Sequence, residues 1–175
     1  MASIRGAYEQ YGVQPFYEQH GATYRNPHET AVADALAAAV RAWAPDLTHV
    51  LDLACGSGEA TLALRAQGAR QVTGVDPYTG LAYLARTGQP AEALTFEQIA
   101  AGALDGRRWS LVVCSYALHL LEPSRLPGLA VRLAQAAPAL LVLTPHKRPQ
   151  LRPAWGWRLA GEQVVERVRT RFYRS

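Results

Sequence analysis

The residues best suited to chemistry form a glycine-rich turn, Cys55-Gly56-Ser57-Gly58, between an apolar run and a helical stretch. Gly56 and Gly58 let the backbone approach a ligand where a Cβ atom would clash. Asp52 lies inside the preceding run, and Asp76 ends the next apolar run. A carboxylate at that strand end can accept hydrogen bonds from both hydroxyls of a ribose. The pattern predicts a site for an adenosine-containing ligand at the carboxyl ends of parallel strands.

The same turn argues against two common nucleotide sites. Thr61 replaces the third glycine of the dinucleotide fingerprint G-x-G-x-x-G, and no Gly-Lys-Ser/Thr sequence is present to grip phosphates. Asp52 and Glu59 would repel a pyrophosphate, but they suit a ligand with an amino group and a sulfonium. Because a lone G-x-G is often only a strand-to-helix turn, the prediction depends on Asp52 and Asp76 as well.

Short apolar runs alternate with helical stretches from about residue 48, as in an α/β fold with a parallel sheet. The predicted strands are 48–54, 71–75, 93–96, 110–114 and 139–143. Helices are expected from Glu59 to Gly68 and from Ser124 to Ala136. The first, fourth and fifth runs are almost continuously apolar, which indicates strands covered by helices on both faces.

The last stretch alternates apolar and polar residues over 164–173, after a short turn at 160–162 and an aromatic segment at 155–159. This pattern predicts an antiparallel hairpin that closes one edge of the sheet. We therefore expect an α/β, doubly wound Rossmann-like sheet of about seven strands, with the C-terminal hairpin antiparallel and helices on both faces. The single domain would have three parts: an N-terminal lid and helix (1–46), a cofactor-binding core (47–145) and the C-terminal hairpin (146–175).

An N-terminal segment precedes the first strand. Asn26 can cap a helix, Pro27 suits its first position, and Glu29 stands three residues after the cap, close to a capping box. The helix should run to about Trp43. The preceding residues are rich in aromatic and histidine side chains, which predicts a lid: Tyr8, Tyr11, Phe16, Tyr17, His20, Tyr24 and His28.

Composition limits the class of protein. The chain has 175 residues, 49% hydrophobic and 18% charged, which predicts one globular domain with a substantial core. No apolar run approaches the roughly 20 residues of a membrane span, and Met1–Arg5 leads into no signal-peptide core. Cys55 and Cys114 are too few for a disulfide scaffold or a four-ligand zinc site. We expect a cytoplasmic protein with no membrane partner and no metal, of undetermined oligomeric state.

Residues 50–61, Val-Leu-Asp-Leu-Ala-Cys-Gly-Ser-Gly-Glu-Ala-Thr, resemble motif I of the class I S-adenosylmethionine-dependent methyltransferases. Residues 73–77 resemble the family's acidic ribose-binding element, and residues 109–121 resemble its fourth-strand segment. Residues 22–27 are similar to a tyrosine-containing stretch before the core of many members that act on small molecules. The resemblance covers about residues 17–173. In this family the last strand lies antiparallel between strands five and six.

The resemblance implies a bound S-adenosyl-L-methionine, with S-adenosyl-L-homocysteine as the product. Gly56, Ser57 and Gly58 would wrap the methionine part, Asp52 would face its amino group, and Asp76 would hold the ribose hydroxyls. The other implied cofactor contacts are Ala54 in the turn, Pro77 and Tyr78 beside the adenine, Gln98 and Ile99 at its edge, Ser115 at the mouth of strand four, and Tyr24 folded over the cofactor. Glu97-Gln98 replaces the acidic residue that often follows strand three.

Methyl transfer from a sulfonium is an in-line displacement that depends mainly on alignment, so a base is needed only when the acceptor loses a proton. His119 and Tyr116, beyond the fourth run, are the catalytic candidates; a packing role is the alternative for His119. The candidates for the acceptor pocket are Tyr17, His20, His28 and His146. The sequence His146-Lys147-Arg148 is either a site for an anionic acceptor or a solvated loop.

The acceptor is expected to be a small molecule. Strand four ends in Cys114-Ser115-Tyr116-Ala117 and not in the Asn/Asp-Pro-Pro-Tyr/Phe of base-amino methyltransferases, and no insertion is present to read a macromolecule. The chain has 18 Lys+Arg against 14 Asp+Glu, a formal charge of +4, and its arginines cluster in the predicted hairpin. That cluster leaves two alternatives open, a methyltransferase of tRNA or rRNA and a solvated sheet edge. A non-catalytic, cofactor-binding partner subunit is a third hypothesis.

Overall fold

A six-stranded sheet forms the centre of the structure, a computed structural model that describes residues 13–175. Its strands are β1 (His49–Leu53), β2 (Gln71–Val75), β3 (Leu111–Ser115), β4 (Ala139–Thr144), β5 (Arg158–Val165) and β6 (Val168–Arg174). The spatial order is β2-β1-β3-β4-β6-β5. Strands β1 to β4 are parallel, and β6 lies antiparallel between β4 and β5. The expected Rossmann-like fold is confirmed, including the antiparallel last strand between its two neighbours.

Six helices of the described part of the chain surround the sheet: α1 (Val13–His20), α2 (Glu29–Trp43), α3 (Glu59–Ala66), α4 (Gly80–Thr87), α5 (Phe96–Ala100) and α6 (Leu126–Ala136). Short 3₁₀ turns cover Gly21–Thr23, Leu118–Leu120 and Pro153–Trp155. No helix within residues 13–175 combines the length and the hydrophobicity needed to cross a bilayer.

Two apolar cores hold the helices on opposite faces of the sheet. Alternate residues of a strand point to opposite faces, so Val50 packs with Leu36 of α2 and Leu64 of α3, whereas Leu51 packs with Leu133 of α6. All of these side chains are almost completely buried. The sheet is therefore covered on both faces, as its continuously apolar strands predict.

The strand order places a crevice at the carboxyl ends of β1 and β3. Both β2 and β3 pair with β1, from opposite sides, so the direction of winding reverses beside β1. Ligands of open α/β sheets bind at such a reversal point, outside the carboxyl ends of the strands. The glycine turn directly follows β1 and therefore lies at this crevice.

The predicted strand at 93–96 does not form, so the sheet has one strand fewer than the expected seven. A single parallel bridge between Val75 and Glu92 takes its place. Thr95 instead caps α5: its hydroxyl accepts from the backbone of Gln98 at 3.2 Å, and the Gln98 side chain accepts from the backbone of Thr95 at 2.9 Å. This reciprocal capping box starts a helix where a strand would have continued.

The hairpin turn also differs from the prediction at 160–162, which lies inside β5. The chain reverses at Glu166 and Arg167, whose φ angles are +47° and +66°. Two-residue hairpin turns need such positive angles and usually carry Asn-Gly. Because Glu166-Arg167 lacks that signal, the position of the turn could not be predicted from the sequence. Gly161 instead lies over Trp43, where a Cβ atom would come within 2.5 Å of the indole.

Replacing Gly74 by alanine should destabilise the protein strongly. A Cβ atom at Gly74 would lie 2.4 Å from the ring of the fully buried Tyr83. Tyr83 cannot give way easily, because its hydroxyl is hydrogen-bonded to Thr61 and Gln89. Overpacking of this kind costs about 1–3 kcal/mol, measurable as a lower free energy of unfolding in urea.

The matched control is Gly80→Ala at the first position of α4, where an added Cβ atom meets nothing within 4 Å. We expect that variant to keep or slightly exceed wild-type stability. Equal unfolding free energies for the two variants would contradict the packing assigned to Tyr83.

Candidate active site

The turn between β1 and α3 exposes its backbone to the crevice. Ala54, Gly56 and Gly58 all have positive φ angles, of 57°, 56° and 91°. A Cβ atom on Gly56 would come within 3.3 Å of the Tyr24 ring, and one on Gly58 within 2.5 Å of Thr87. Gly56 therefore leaves a narrow space beneath Tyr24. Ala54 adopts a conformation that is about 1–2 kcal/mol unfavourable for a residue with a side chain.

Asp76 is held in one orientation at the end of β2. Its Oδ1 atom accepts from the backbone N–H groups of Tyr78 at 2.8 Å and Thr79 at 3.0 Å. Its Oδ2 atom accepts from the N–H of Gly56 at 3.2 Å, which ties the two strand ends together. Because a carboxylate oxygen has two lone pairs, Oδ2 retains capacity for a further donor from the crevice.

Asp52 is the least satisfied acid of the site. It is 1% exposed, and among the described residues only its Oδ2 atom has a hydrogen-bond partner, the Thr61 hydroxyl at 2.6 Å. Its Oδ1 atom is buried without a hydrogen bond to any described residue. Burial, together with the nearby charges of Glu59 and Asp76, raises the pKa of Asp52 to about 7. A cationic donor beside Oδ1 would stabilise the ionised form.

Glu59 joins the glycine turn to the N-terminal segment. Its Oε1 atom accepts from the backbone N–H of Asn26 at 3.0 Å and from the Ser57 hydroxyl. Arg86 of α4 pairs with Glu59 at 3.4 Å and with Glu29, and it donates to the Ser57 carbonyl at 3.2 Å. The predicted capping box of Asn26 with Glu29 is therefore replaced by a long-range bond from Asn26 to Glu59.

One cleft collects most of the residues assigned to the cofactor and part of the expected lid. It encloses a cavity of about 120 Å³ and opens to solvent at its mouth. The predicted residues that line it are Tyr17, Tyr24, Asp52, Ala54, Gly56, Asp76, Pro77, Tyr78, Ser115 and Tyr116. Ser57 and Gly58, the last two residues of the turn, do not line the cleft, and the Ser57 side chain is hydrogen-bonded to Glu59.

Aromatic side chains cover this cleft. The Tyr17 ring meets Tyr24 edge to face at 5.1 Å and stacks over Tyr78 at 6.1 Å. On the far side, Tyr116 has a φ of +56° and stacks on His28 at 5.1 Å. Burial raises the pKa of Tyr116, so its hydroxyl stays protonated at neutral pH. Tyr8 and Tyr11, also predicted in the lid, lie outside the described residues.

Gln98 and Ile99 do not line either cleft near the turn. Gln98 is committed to the cap of α5, and Ile99 is 1% exposed in the core. A second cleft, which shares Pro77 and Tyr78 with the first, is lined instead by residues 94–97. The Thr-x-x-Gln capping pattern at 95–98 was the available signal for this difference.

The structure also separates three histidines from the cleft. His119 lies within the Leu118–Leu120 turn but faces away from the cleft, with its ring 4.7 Å from that of His146. Burial and the neighbouring His146 lower the pKa of His119 to about 4, so it is neutral at physiological pH. His20 is exposed and packs against Phe16 at 5.1 Å. None of these rings lines the cleft with Asp52 and Asp76.

The two cysteines of the described residues are not placed for nucleophilic chemistry. Cys55 and Cys114 are buried and free, and burial raises the pKa of both, that of Cys114 to about 12. Such thiols are poor nucleophiles. Within residues 13–175, no three His, Cys, Asp or Glu side chains are grouped as a metal site.

Comparisons with known proteins agree with this geometry. Residues 50–137 match the methyltransferase domain family. An uncharacterized protein of fission yeast, Schizosaccharomyces pombe, is 33% identical in an alignment of 229 positions, which covers 99% of this chain and 92% of the relative. The sheet order, with its antiparallel last strand, is that of the class I methyltransferase fold. The chain belongs to the methyltransferase domain family.

Two solved structures share the fold at low sequence identity. A magnesium protoporphyrin IX methyltransferase from Synechocystis, crystallised with bound SAM, gives a TM-score of 0.63 at 19% identity, covering 100% of this chain and 98% of the other. The 1,6-didemethyltoxoflavin-N1-methyltransferase of Burkholderia thailandensis, with bound 1,6-didemethyltoxoflavin and S-adenosylhomocysteine, gives 0.67 at 18% identity, covering 100% and 91%.

The buried acid of β1 should make stability pH-dependent. Because burial raises the pKa of Asp52 to about 7 in the folded protein, well above the ordinary aspartate pKa of about 3.9, the folded state holds a proton that the unfolded state releases. Its stabilising contribution is complete below about pH 4 and is lost as the pH rises through 7. We expect Asp52→Asn to remove a decline on the order of a few kcal/mol between pH 4 and 8, measured by urea unfolding without ligand.

Asp34→Asn, at an exposed position of α2, is the matched control and should keep the wild-type pH profile. Superimposable profiles for Asp52→Asn and the wild type would show that Asp52 has no raised pKa.

Proposed function

We propose that this chain binds S-adenosylmethionine in the cleft below Tyr24 and transfers its methyl group to a small-molecule acceptor. The observation that carries the proposal is the set of unsatisfied acceptors in one cleft. Asp52 Oδ1 and Ser115 Oγ are buried without partners among the described residues, and Asp76 Oδ2 has spare capacity. Structural neighbours that contain SAM or S-adenosylhomocysteine support the choice of cofactor.

The residues present fit this cofactor. Asp52 would face its amino group, because a buried carboxylate with an open lone pair favours a cation. Asp76 would accept from the ribose hydroxyls, and the turn at Gly56 would lie against the methionine part. Pro77 and Tyr78, shared by both clefts, would lie beside the adenine. In contrast to the sequence-based assignment, residues 94–97 form the wall beyond them.

When bound, the cofactor supplies an electrophilic methyl group on a sulfonium. The chain contributes orientation, since two fixed acids and the glycine turn set the cofactor's position and in-line displacement depends on that alignment. Tyr17 and Tyr24 cover the cleft and exclude water. Tyr116 stays protonated and can donate a hydrogen bond to an acceptor. His119 lies outside the cleft, so a base, where the acceptor needs one, has to come from another group.

A small acceptor is supported by the two structural neighbours, which are methyltransferases of magnesium protoporphyrin IX and of 1,6-didemethyltoxoflavin. The alternative of an RNA acceptor has little support, because the hairpin arginines are already engaged. Arg169 and Arg171 both pair with Glu162, and Arg174 lies over the Phe172 ring.

A non-catalytic partner subunit would bind cofactor without turnover. A single methyltransferase domain and a cytoplasmic location stay predictions.

Asp76→Asn should weaken binding of S-adenosylhomocysteine at least tenfold, or about 1.4 kcal/mol. The asparagine oxygen can still accept from Tyr78 and Thr79, but its NH₂ group cannot accept from Gly56 or from a ribose hydroxyl. Calorimetric titration measures the affinity, and urea unfolding checks the fold. Asp34→Asn is again the control. Unchanged affinity in a folded Asp76→Asn protein would remove Asp76 from the ribose site.

Turnover is tested by incubating the protein and a metabolite extract with methyl-labelled S-adenosylmethionine. We expect one or a few labelled small molecules, which mass spectrometry then identifies and which form more slowly with Asp76→Asn when the cofactor is limiting. Tight binding of S-adenosylhomocysteine without any labelled product would favour the partner-subunit hypothesis, and label in RNA would favour an RNA methyltransferase.

A further inference from the structure

A third cleft opens on the other side of the Leu118–Leu120 turn. Its empty volume is about 1500 Å³. Lys147, Arg148 and Arg152 follow β4 and line it, together with Trp155, and the buried side chains of Leu126 and Leu151 line its floor. We call this cleft the basic groove.

The positive charges of the basic groove have no counterpart. No Asp or Glu lines it, and Lys147, Arg148 and Arg152 form no ion pair with any residue in the described range 13–175. The Arg152 guanidinium instead lies 5.2 Å from the centre of the Trp155 ring. Arginines elsewhere, such as Arg107 and Arg125, face carboxylates at 2.7 Å and 2.6 Å. Free cations are thus concentrated where an anion has room to bind.

The loop that carries Lys147 and Arg148 is held in place by hydrogen bonds from β6. Arg171, only 1% exposed, donates to the carbonyls of Lys147 at 2.6 Å and Pro149 at 2.9 Å. Its charge is matched by Glu162 at 2.5 Å. The hydroxyl of Tyr173 accepts from the backbone of Leu151 at 3.3 Å. A buried arginine with a partner on each of its three nitrogens fixes the loop, so the basic groove is formed before any ligand arrives.

The basic groove and the cofactor cleft share one dividing wall. Ala117 and Leu120 line the cofactor cleft, whereas Leu118 and His119, between them in sequence, line the groove. Strands β3 and β4 are parallel neighbours, so their carboxyl ends open both clefts at the same edge of the sheet. A molecule in the groove therefore lies next to the place where the methyl group would be presented.

We propose that the basic groove binds the anionic part of the methyl acceptor, which is a small molecule with a carboxylate or phosphate attached to an apolar or aromatic body. The inference rests on the proposed methyltransferase function and names its substrate class. Guanidinium groups bind both anions through paired hydrogen bonds. Trp155 and the leucine floor provide apolar area for the remainder of the molecule.

Phenyl phosphate and benzoate serve as probes, with benzyl alcohol as the neutral counterpart. In calorimetric titrations of the full chain saturated with S-adenosylhomocysteine, we expect at least one anion to bind ten times or more tightly than the alcohol. Tighter binding of phenyl phosphate would indicate a phosphate acceptor, and tighter binding of benzoate a carboxylate acceptor. Binding no tighter than that of the alcohol for either anion overturns the proposal.

The double variant Lys147→Gln/Arg148→Gln should weaken anion binding at least tenfold and leave S-adenosylhomocysteine affinity within twofold of wild type. The matched control, Arg158→Gln/Arg167→Gln, removes the same charge from exposed hairpin positions outside the groove and should bind the anion normally. Equal losses in both variants would indicate only general electrostatic attraction and overturn the proposal, as would no loss in either.

The acceptor itself is located by passing a metabolite extract over an anion-exchange resin before the labelling reaction. We expect the acceptor activity in the retained fraction and a strongly reduced rate with Lys147→Gln/Arg148→Gln. Activity only in the unretained fraction overturns the anionic acceptor while the methyltransferase function stands. No labelled product in any fraction removes both proposals. The groove is assigned to nucleic acid instead if neither small anion binds, single-stranded RNA binds in a salt-dependent way, and the double variant weakens that RNA binding.

Discussion

The buried carboxylate of Glu59 is the point where three segments distant in sequence meet. It accepts hydrogen bonds from the backbone of Asn26 and the hydroxyl of Ser57, and it pairs with Arg86. A buried charge is tolerated only while its partners remain in place. The N-terminal segment, the glycine turn and α4 are therefore fixed relative to one another, and the aromatic cover at Tyr24 is carried by a chain anchored two residues later.

The site also groups three acids, Asp52, Glu59 and Asp76, in a small buried volume. Arg86 balances Glu59, and three backbone N–H groups balance Asp76, but Asp52 has only a hydroxyl partner. Glycine turns that bind phosphate use N–H groups and the helix dipole to attract anions; here the acids give the same kind of turn a preference for a cation. The cofactor cleft and the basic groove thus place opposite charges on the two sides of the Leu118–Leu120 turn.

Much of this arrangement could be predicted from the sequence, because its signals are local. The glycine turn, the strands at 49–53 and 139–144, and the acids Asp52 and Asp76 all follow from short patterns. The bond from Asn26 to Glu59 could not be predicted, since it joins residues 33 positions apart. The alternation near the C-terminus predicted an antiparallel hairpin but not the position of its turn, because the reversal at Glu166 and Arg167 has no glycine or asparagine to mark it.

The two assignments that the structure relocates have a common physical reason. Near residue 95 a short apolar run predicted a strand, and Gln98 and Ile99 were expected to follow it at the crevice. The Thr95 cap converts this stretch into a helix, which turns Ile99 into the core and uses the Gln98 side chain for the backbone. A local hydrogen bond here overrides the preference of apolar residues for a strand.

The missing strand leaves β2 at the border of the sheet, where unpaired main-chain groups can recruit another chain. The backbone of Glu92 pairs with Gly74 and Asp76 at one end of this edge, and the Gln89 side chain covers one further carbonyl. The Gln89 amide donates to the carbonyl of Val72 at 2.6 Å and to the Tyr83 hydroxyl at 2.9 Å, while Arg65 holds its oxygen at 2.6 Å. One glutamine, locked from both ends, takes the place of part of a strand. The edge of the sheet is thus protected in part by a side chain that does not line the cofactor cleft.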